Sequence, residues 1–93
     1  MSGGTVQVTV RLFGALRRLA PGAEVVVEVA PGTPVSALRG KLFQALASPG
    51  APAEALLESS AFADDAQVLA EDQPVGEGAA RVTLALLPPV CGG

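Results

Sequence analysis

Hydrophobic and polar positions alternate in two stretches of the chain, near its start and near its end. From Thr5 to Leu12, Val6, Val8, Val10 and Leu12 fall on one side and Gln7, Thr9 and Arg11 on the other. A period of two over this length predicts a half-buried strand. Arg81 to Leu87 repeats the pattern, with Val82, Leu84 and Leu86 opposed to Arg81, Thr83, Ala85 and Leu87, and Pro88-Pro89 ends it by withdrawing two backbone donors. Glu24 to Val29 predicts a third strand: Val25, Val27 and Val29 share a face, and its β-branched residues disfavour a helix. Between the first and second strands, Phe13 to Ala20 has room for a short helical turn, closed by Pro21-Gly22.

The period then changes. After the Pro31-Gly32 turn, Thr33 suits an N-cap and Pro34 a first helical position, and Val35, Leu38, Leu42 and Leu46 recur at spacings of three and four. This predicts an amphipathic helix from Pro34 to Ala47, stopped by Ser48-Pro49-Gly50-Ala51-Pro52. Ala53 to Glu58 can add one helical turn. Short strands are expected around Ser60 to Ala63 and Gln67 to Leu69, joined by the turn-prone Asp64-Asp65. The resulting fold class is α+β, a mixed sheet with one main helix across one face. The β-grasp fold of ubiquitin-like proteins has this order. Periodicity alone does not separate it from other small α+β folds. Residues 1–87 are expected to form one domain, a β-grasp domain on the family resemblance given below, and residues 88–93 a flexible C-terminal Gly-Gly tail.

Composition narrows the chemistry. With 93 residues, 49% of them hydrophobic, the chain suits one domain that buries more than about 60% of its unfolded surface. A net charge of −3, six basic residues spread along the chain and three aromatics (Phe13, Phe43, Phe62) argue against nucleic acid as a partner. The apolar runs Val25-Val26-Val27 and Leu84-Ala85-Leu86-Leu87 fall well short of the roughly 20 residues of a membrane span. The start, Met1-Ser2-Gly3-Gly4, has no basic region followed by an apolar stretch, so a cytoplasmic location is expected. There is no histidine, and Cys91 is the only cysteine. No metal centre of soft ligands and no histidine-based dyad is expected. Asp64, Asp65, Glu71 and Asp72 read as solvated loop charges, since no pair has the spacing for metal or acid–base work.

What remains is a terminus. A Gly-Gly ending occurs by chance in roughly one chain in 200, but here a strand runs straight into it through Pro88-Pro89, which favour extended backbone. Six such residues reach roughly 20 Å beyond the sheet. Side chains shrink along Val90, Cys91, Gly92 and Gly93, so the last peptide suits a channel too narrow for larger residues. Leu87 and Ala85, on the outer face of the last strand, are candidates for a partner surface; a sheet covered on both faces accounts for their apolar character equally well.

Leu87-Pro88-Pro89-Val90-Cys91-Gly92-Gly93 resembles the terminus of the small subunit of molybdopterin synthase, the MoaD-type sulfur carrier, and of its thiamine-pathway relative. Val8-Thr9-Val10-Arg11-Leu12-Phe13-Gly14-Ala15-Leu16-Arg17 resembles that family's first strand and following turn. Pro31-Gly32-Thr33-Pro34-Val35-Ser36-Ala37-Leu38 resembles the start of its helix. The chain departs from the family between Ala61 and Ala80, where many relatives carry a valine-asparagine pair and this chain reads Ala61-Phe62-Ala63-Asp64-Asp65.

The resemblance implies that a ubiquitin-activating-type adenylyltransferase uses ATP to adenylate the Gly93 carboxylate. A sulfur donor of cysteine desulfurase or rhodanese type then leaves a thiocarboxylate, 1-thioglycine, at Gly93. The implied acceptor is the molybdopterin synthase large subunit, which draws in the tail and passes the sulfur to a cyclic pyranopterin. The chain itself would bind no cofactor and act as a co-substrate. An unactivated α-carboxyl, with a reference pKa of about 3.3 to 3.7, is an anion and a poor electrophile, which is why activation is needed. Cys91 is either a participant in sulfur relay or a small residue that fits the channel; relatives place alanine or serine there, which favours the second. Two other functions fit the sequence: a sister carrier for cysteine, thiamine or a secondary metabolite, and a ubiquitin-like modifier or binding module.

Overall fold

The computed structural model describes residues 4–46, 55 and 57–88. The elements, in chain order, are β1 (Val6–Leu12), a 3₁₀ helix (Gly14–Leu19), a second 3₁₀ turn (Pro21–Ala23), β2 (Glu24–Val29), β3 (Thr33–Pro34), α1 (Val35–Ala45), β4 (Ala61–Ala63), β5 (Pro74–Val75) and β6 (Arg81–Leu87). The main sheet has the order β2-β1-β6-β4, and β3 pairs with β5 in a separate two-stranded piece. β1 runs antiparallel to β2, with Val8 opposite Val27, and parallel to β6, with Val10 opposite Leu84. β4 pairs antiparallel with β6, placing Phe62 beside Leu86. First and last strands thus lie side by side in the middle of a mixed sheet, with α1 across one face.

Alternation becomes burial in the expected way. Val6, Val8, Val10 and Leu12 of β1, Val27 and Val29 of β2, and Leu84 and Leu86 of β6 enter one core with Val35, Leu38 and Leu42 of α1. Phe62 and Leu16 are fully buried there too, each such side chain contributing about 1.5–3 kcal/mol by leaving water. Gly76 sits at φ +81, and a Cβ there would lie 2.8 Å from a Val6 methyl. Only glycine meets both demands at that turn.

Several expectations are corrected. α1 begins at Val35, because Pro34 is extended (ψ 154) and paired in β3, and its last helical residue is Ala45. Thr33 does not cap the helix; its hydroxyl donates to the Ala30 carbonyl at 2.6 Å. The N–H groups of Val35 and Ser36 donate instead to the carbonyls of Gln73 and Glu71. The loop before β5 therefore does the work of the cap. The expected strand at Gln67 to Leu69 reduces to one bridge between Val68 and Ala63, because Asp64 Oδ1 accepts the N–H groups of Ala66 and Gln67 and tightens the turn. The turn expected over Phe13 to Ala20 is the 3₁₀ helix Gly14–Leu19, and β1 starts at Val6 rather than Thr5. Residues 55 and 57–59 are helical, as expected for the added turn; residues 53, 54 and 56, and the stop at 48–52, lie outside the described residues.

Candidate functional site

β6 carries the chain to the rim of the sheet where β1 ends. There the Phe13 N–H donates to the Leu86 carbonyl at 3.2 Å, joining the start of the 3₁₀ helix to the end of β6. The next residue, Gly14, has φ +61, and a Cβ on it would stand 2.8 Å from Pro88 Cγ. A side chain there is disfavoured by the left-handed backbone and blocked by the proline ring. Pro88, half-buried, is thereby fixed against Gly14 as the root of the tail. Pro89, Val90, Cys91, Gly92 and Gly93, the other expected tail residues, lie outside the described residues.

Ala85 and Leu87 lie on the face of the sheet away from α1. Ala85 stands between Arg11 of β1 and Ala63 of β4, and Leu87 is opposite Ala61. Both are half-buried. Neither belongs to the core, which takes Leu84 and Leu86 from the same strand. Phe13, 42% exposed, extends this strip, and a shallow depression of about 160 Å³ lies among Arg11, Phe13, Ala63, Thr83 and Ala85. Asp64 borders it. The backbone N–H groups of Ala66 and Gln67 lower the Asp64 pKa by binding its charged form. Its carboxylate is thus engaged by its own turn.

A second feature escaped the sequence reading. Arg17 and Arg18 line a depression of about 490 Å³ floored by Gly14, Gly22 and Ala23, and Arg11 and Glu24 line its continuation toward the sheet. The basic residues read as spread along the chain are therefore partly gathered at the tail root. The signal was present: the first 23 residues hold three arginines and no acidic residue. Among the described residues no three His, Cys, Asp or Glu side chains are grouped to hold a metal ion, and no helix is long and apolar enough to cross a membrane.

No family model and no curated protein matches the chain. Solved structures do. SAMP1 from Haloferax volcanii is 28% identical, with a TM-score of 0.65 over 94% of this chain and 99% of that one. Molybdopterin converting factor subunit 1 from Pyrococcus furiosus has a TM-score of 0.66 at 20% identity, covering 91% of this chain and 99% of its own. Caldiarchaeum subterraneum ubiquitin has a TM-score of 0.59 at 17% identity over 97% and 100% of the two chains. The fold is the ubiquitin-like β-grasp. At 20% and 17% identity the last two likenesses speak for the fold alone, whereas SAMP1 also shares more than a quarter of its aligned residues with this β-grasp chain.

Proposed function

We propose that this β-grasp protein is a sulfur carrier whose working group is the terminal carboxylate of Gly93. The observation that carries this reading is the delivery of Pro88 to the sheet rim by a central strand, followed by Pro89-Val90-Cys91-Gly92-Gly93. Five residues span at most about 18 Å, enough to enter a partner's active site. Likeness to SAMP1 supports it, and the fold shared with a molybdopterin converting factor subunit is compatible with it. A carboxylate oxygen attacks the α-phosphate of ATP on a ubiquitin-activating-type adenylyltransferase, and pyrophosphate leaves. The outer sulfur of a persulfide on a cysteine desulfurase or rhodanese-type donor then attacks the acyl carbon, and AMP leaves. A second thiol cleaves the S–S bond of the resulting acyl disulfide, which frees the thiocarboxylate and leaves the donor cysteine in a disulfide. The thiocarboxylate is the cargo. Its favoured acceptor is a molybdopterin synthase large subunit, where the sulfur enters a pyranopterin.

In this reading the domain performs no bond chemistry: it presents the tail, and its outer face, with Ala85 and Leu87, meets the enzymes. Cys91 serves as a small residue of the threading segment. The test is intact mass after incubation with ATP, a sulfur source and extract of the source organism. Replacement of one oxygen by sulfur at Gly93 is the expected result. Adducts through lysine without any sulfur gain would identify a modifier instead.

A further inference from the structure

We infer that the arginine-lined depression beside the tail root docks a carboxylate-bearing loop of the activating adenylyltransferase that takes up the tail; this rests on the sulfur-carrier reading above. Arg11, Arg17 and Arg18 are all exposed. Among the described residues the ion pair is Arg39–Glu71, and none of these three arginines meets a carboxylate within ion-pair distance. Glu24 faces Arg11 across the β1–β2 register and offsets part of its charge. Arg17 and Arg18 line the same depression as Gly14 and Gly22. A Cβ on Gly22 would meet nothing within 4 Å, so the backbone there is open to an incoming chain. The planar guanidinium fork matches a carboxylate better than it matches any neutral group.

Charge along the chain argues for a protein loop as the occupant. Residues 24–93 hold all nine acidic residues and only three basic ones. A polyanion wide enough to cover the domain, such as nucleic acid, meets that acidic remainder and is repelled. A short acidic loop meets only the arginines. Position gives the cluster its use: Gly14 lines the depression and also touches Pro88, so a loop seated there lies next to the root of the tail. Exposed pairs of this kind act chiefly on encounter rate and salt dependence.

The test compares wild type, Arg17→Glu/Arg18→Glu and the control Lys41→Glu/Arg81→Glu, which alters net charge equally but on other elements. ATP-dependent sulfur gain at Gly93 is followed by intact mass in extract of the source organism, against carrier concentration and NaCl. The arginine variant is expected to raise the half-saturating concentration about tenfold or more, with an unchanged plateau rate, an unchanged thermal midpoint and a flattened salt dependence. The control should stay within about twofold of wild type by the same reasoning. An arginine variant that saturates like wild type, or a control equally impaired, overturns the docking while the carrier reading stands. A wild type that gains no sulfur overturns both.

Discussion

Arg39 ties three segments together through one guanidinium. Its Nη1 donates to the carbonyls of Leu57 at 2.6 Å and Ser60 at 2.9 Å, its Nε and Nη2 donate to the Glu71 carboxylate, and its Cζ lies 5.2 Å from the centre of the Phe62 ring. The arginine side chain is 11% exposed and that of Glu71 59%. The ion pair itself is therefore worth at most about 1 kcal/mol, and the bonds to the two carbonyls dominate. Arg39→Ala is expected to lower stability by about 2–4 kcal/mol, since it strips a charged donor from part-buried acceptors. Glu71→Gln should cost much less. Urea midpoints at constant slope measure both. Asp64 offers a pH test. Its folded pKa is depressed by the Ala66 and Gln67 N–H groups, so its contribution is present above the unfolded value of about 3.9 and is lost as pH falls through the lower folded value. Asp64→Asn keeps an acceptor and removes the titration. Its thermal midpoint should fall less than that of wild type on acidification below about pH 4.

Within α1, Gly40 is exposed and a Cβ built on it meets nothing within 4 Å. Gly40→Ala is expected to stabilise the fold by about 0.5–1 kcal/mol, through a lower entropy cost in the helix interior. A higher thermal midpoint is the observable. On β6, Leu87 and Leu86 separate binding from folding. Leu87→Asp should leave the domain folded and weaken sulfur acquisition at low carrier concentration, because a charge enters a contact that offers it no partner. Leu86→Ala, in the core, should cost about 2–5 kcal/mol of stability. Denaturation and concentration-dependent intact mass distinguish them; equal unfolding of both variants would place Leu87 in the core. The bounds of β2 and β6 were legible to the residue because punctuation flanks them: Pro21-Gly22 and Pro31-Gly32 on either side of the β-branched run of β2, and Pro88-Pro89 after the alternating residues of β6. β5, two residues long, lies below the length at which alternation signals anything, and residues 67–69 were misread for the same reason. The start of α1 was missed by one residue because long-range carbonyls, rather than Thr33, meet its first N–H groups. The outer-face placement of Ala85 and Leu87 followed from parity. The gathering of Arg11 and Arg17 in one depression and of Arg17 and Arg18 in the next did not, since it depends on the path of the two 3₁₀ turns between β1 and β2.

At the scale of the molecule, fold and proposed function are separable. Among the described residues the core takes Leu84 and Leu86 from β6, and the proposed chemistry belongs to Gly93, six residues beyond Leu87. In this account changes to the chain past Pro88 are expected to leave the core unaltered. The activating site, in contrast, must receive a carboxylate at a fixed depth. One residue added or removed shifts that group by up to about 3.6 Å, and a misplacement near 1 Å can already cost about 10²-fold in rate. The most direct measurement follows ATP-dependent sulfur gain by intact mass, with the thermal midpoint beside it, for wild type, a Gly93 deletion and a one-alanine extension after Gly93. The expected result is an unchanged midpoint in all three and sulfur on the wild type alone. Sulfur gained by either variant at the wild-type rate would show that the terminal carboxylate is not the working group.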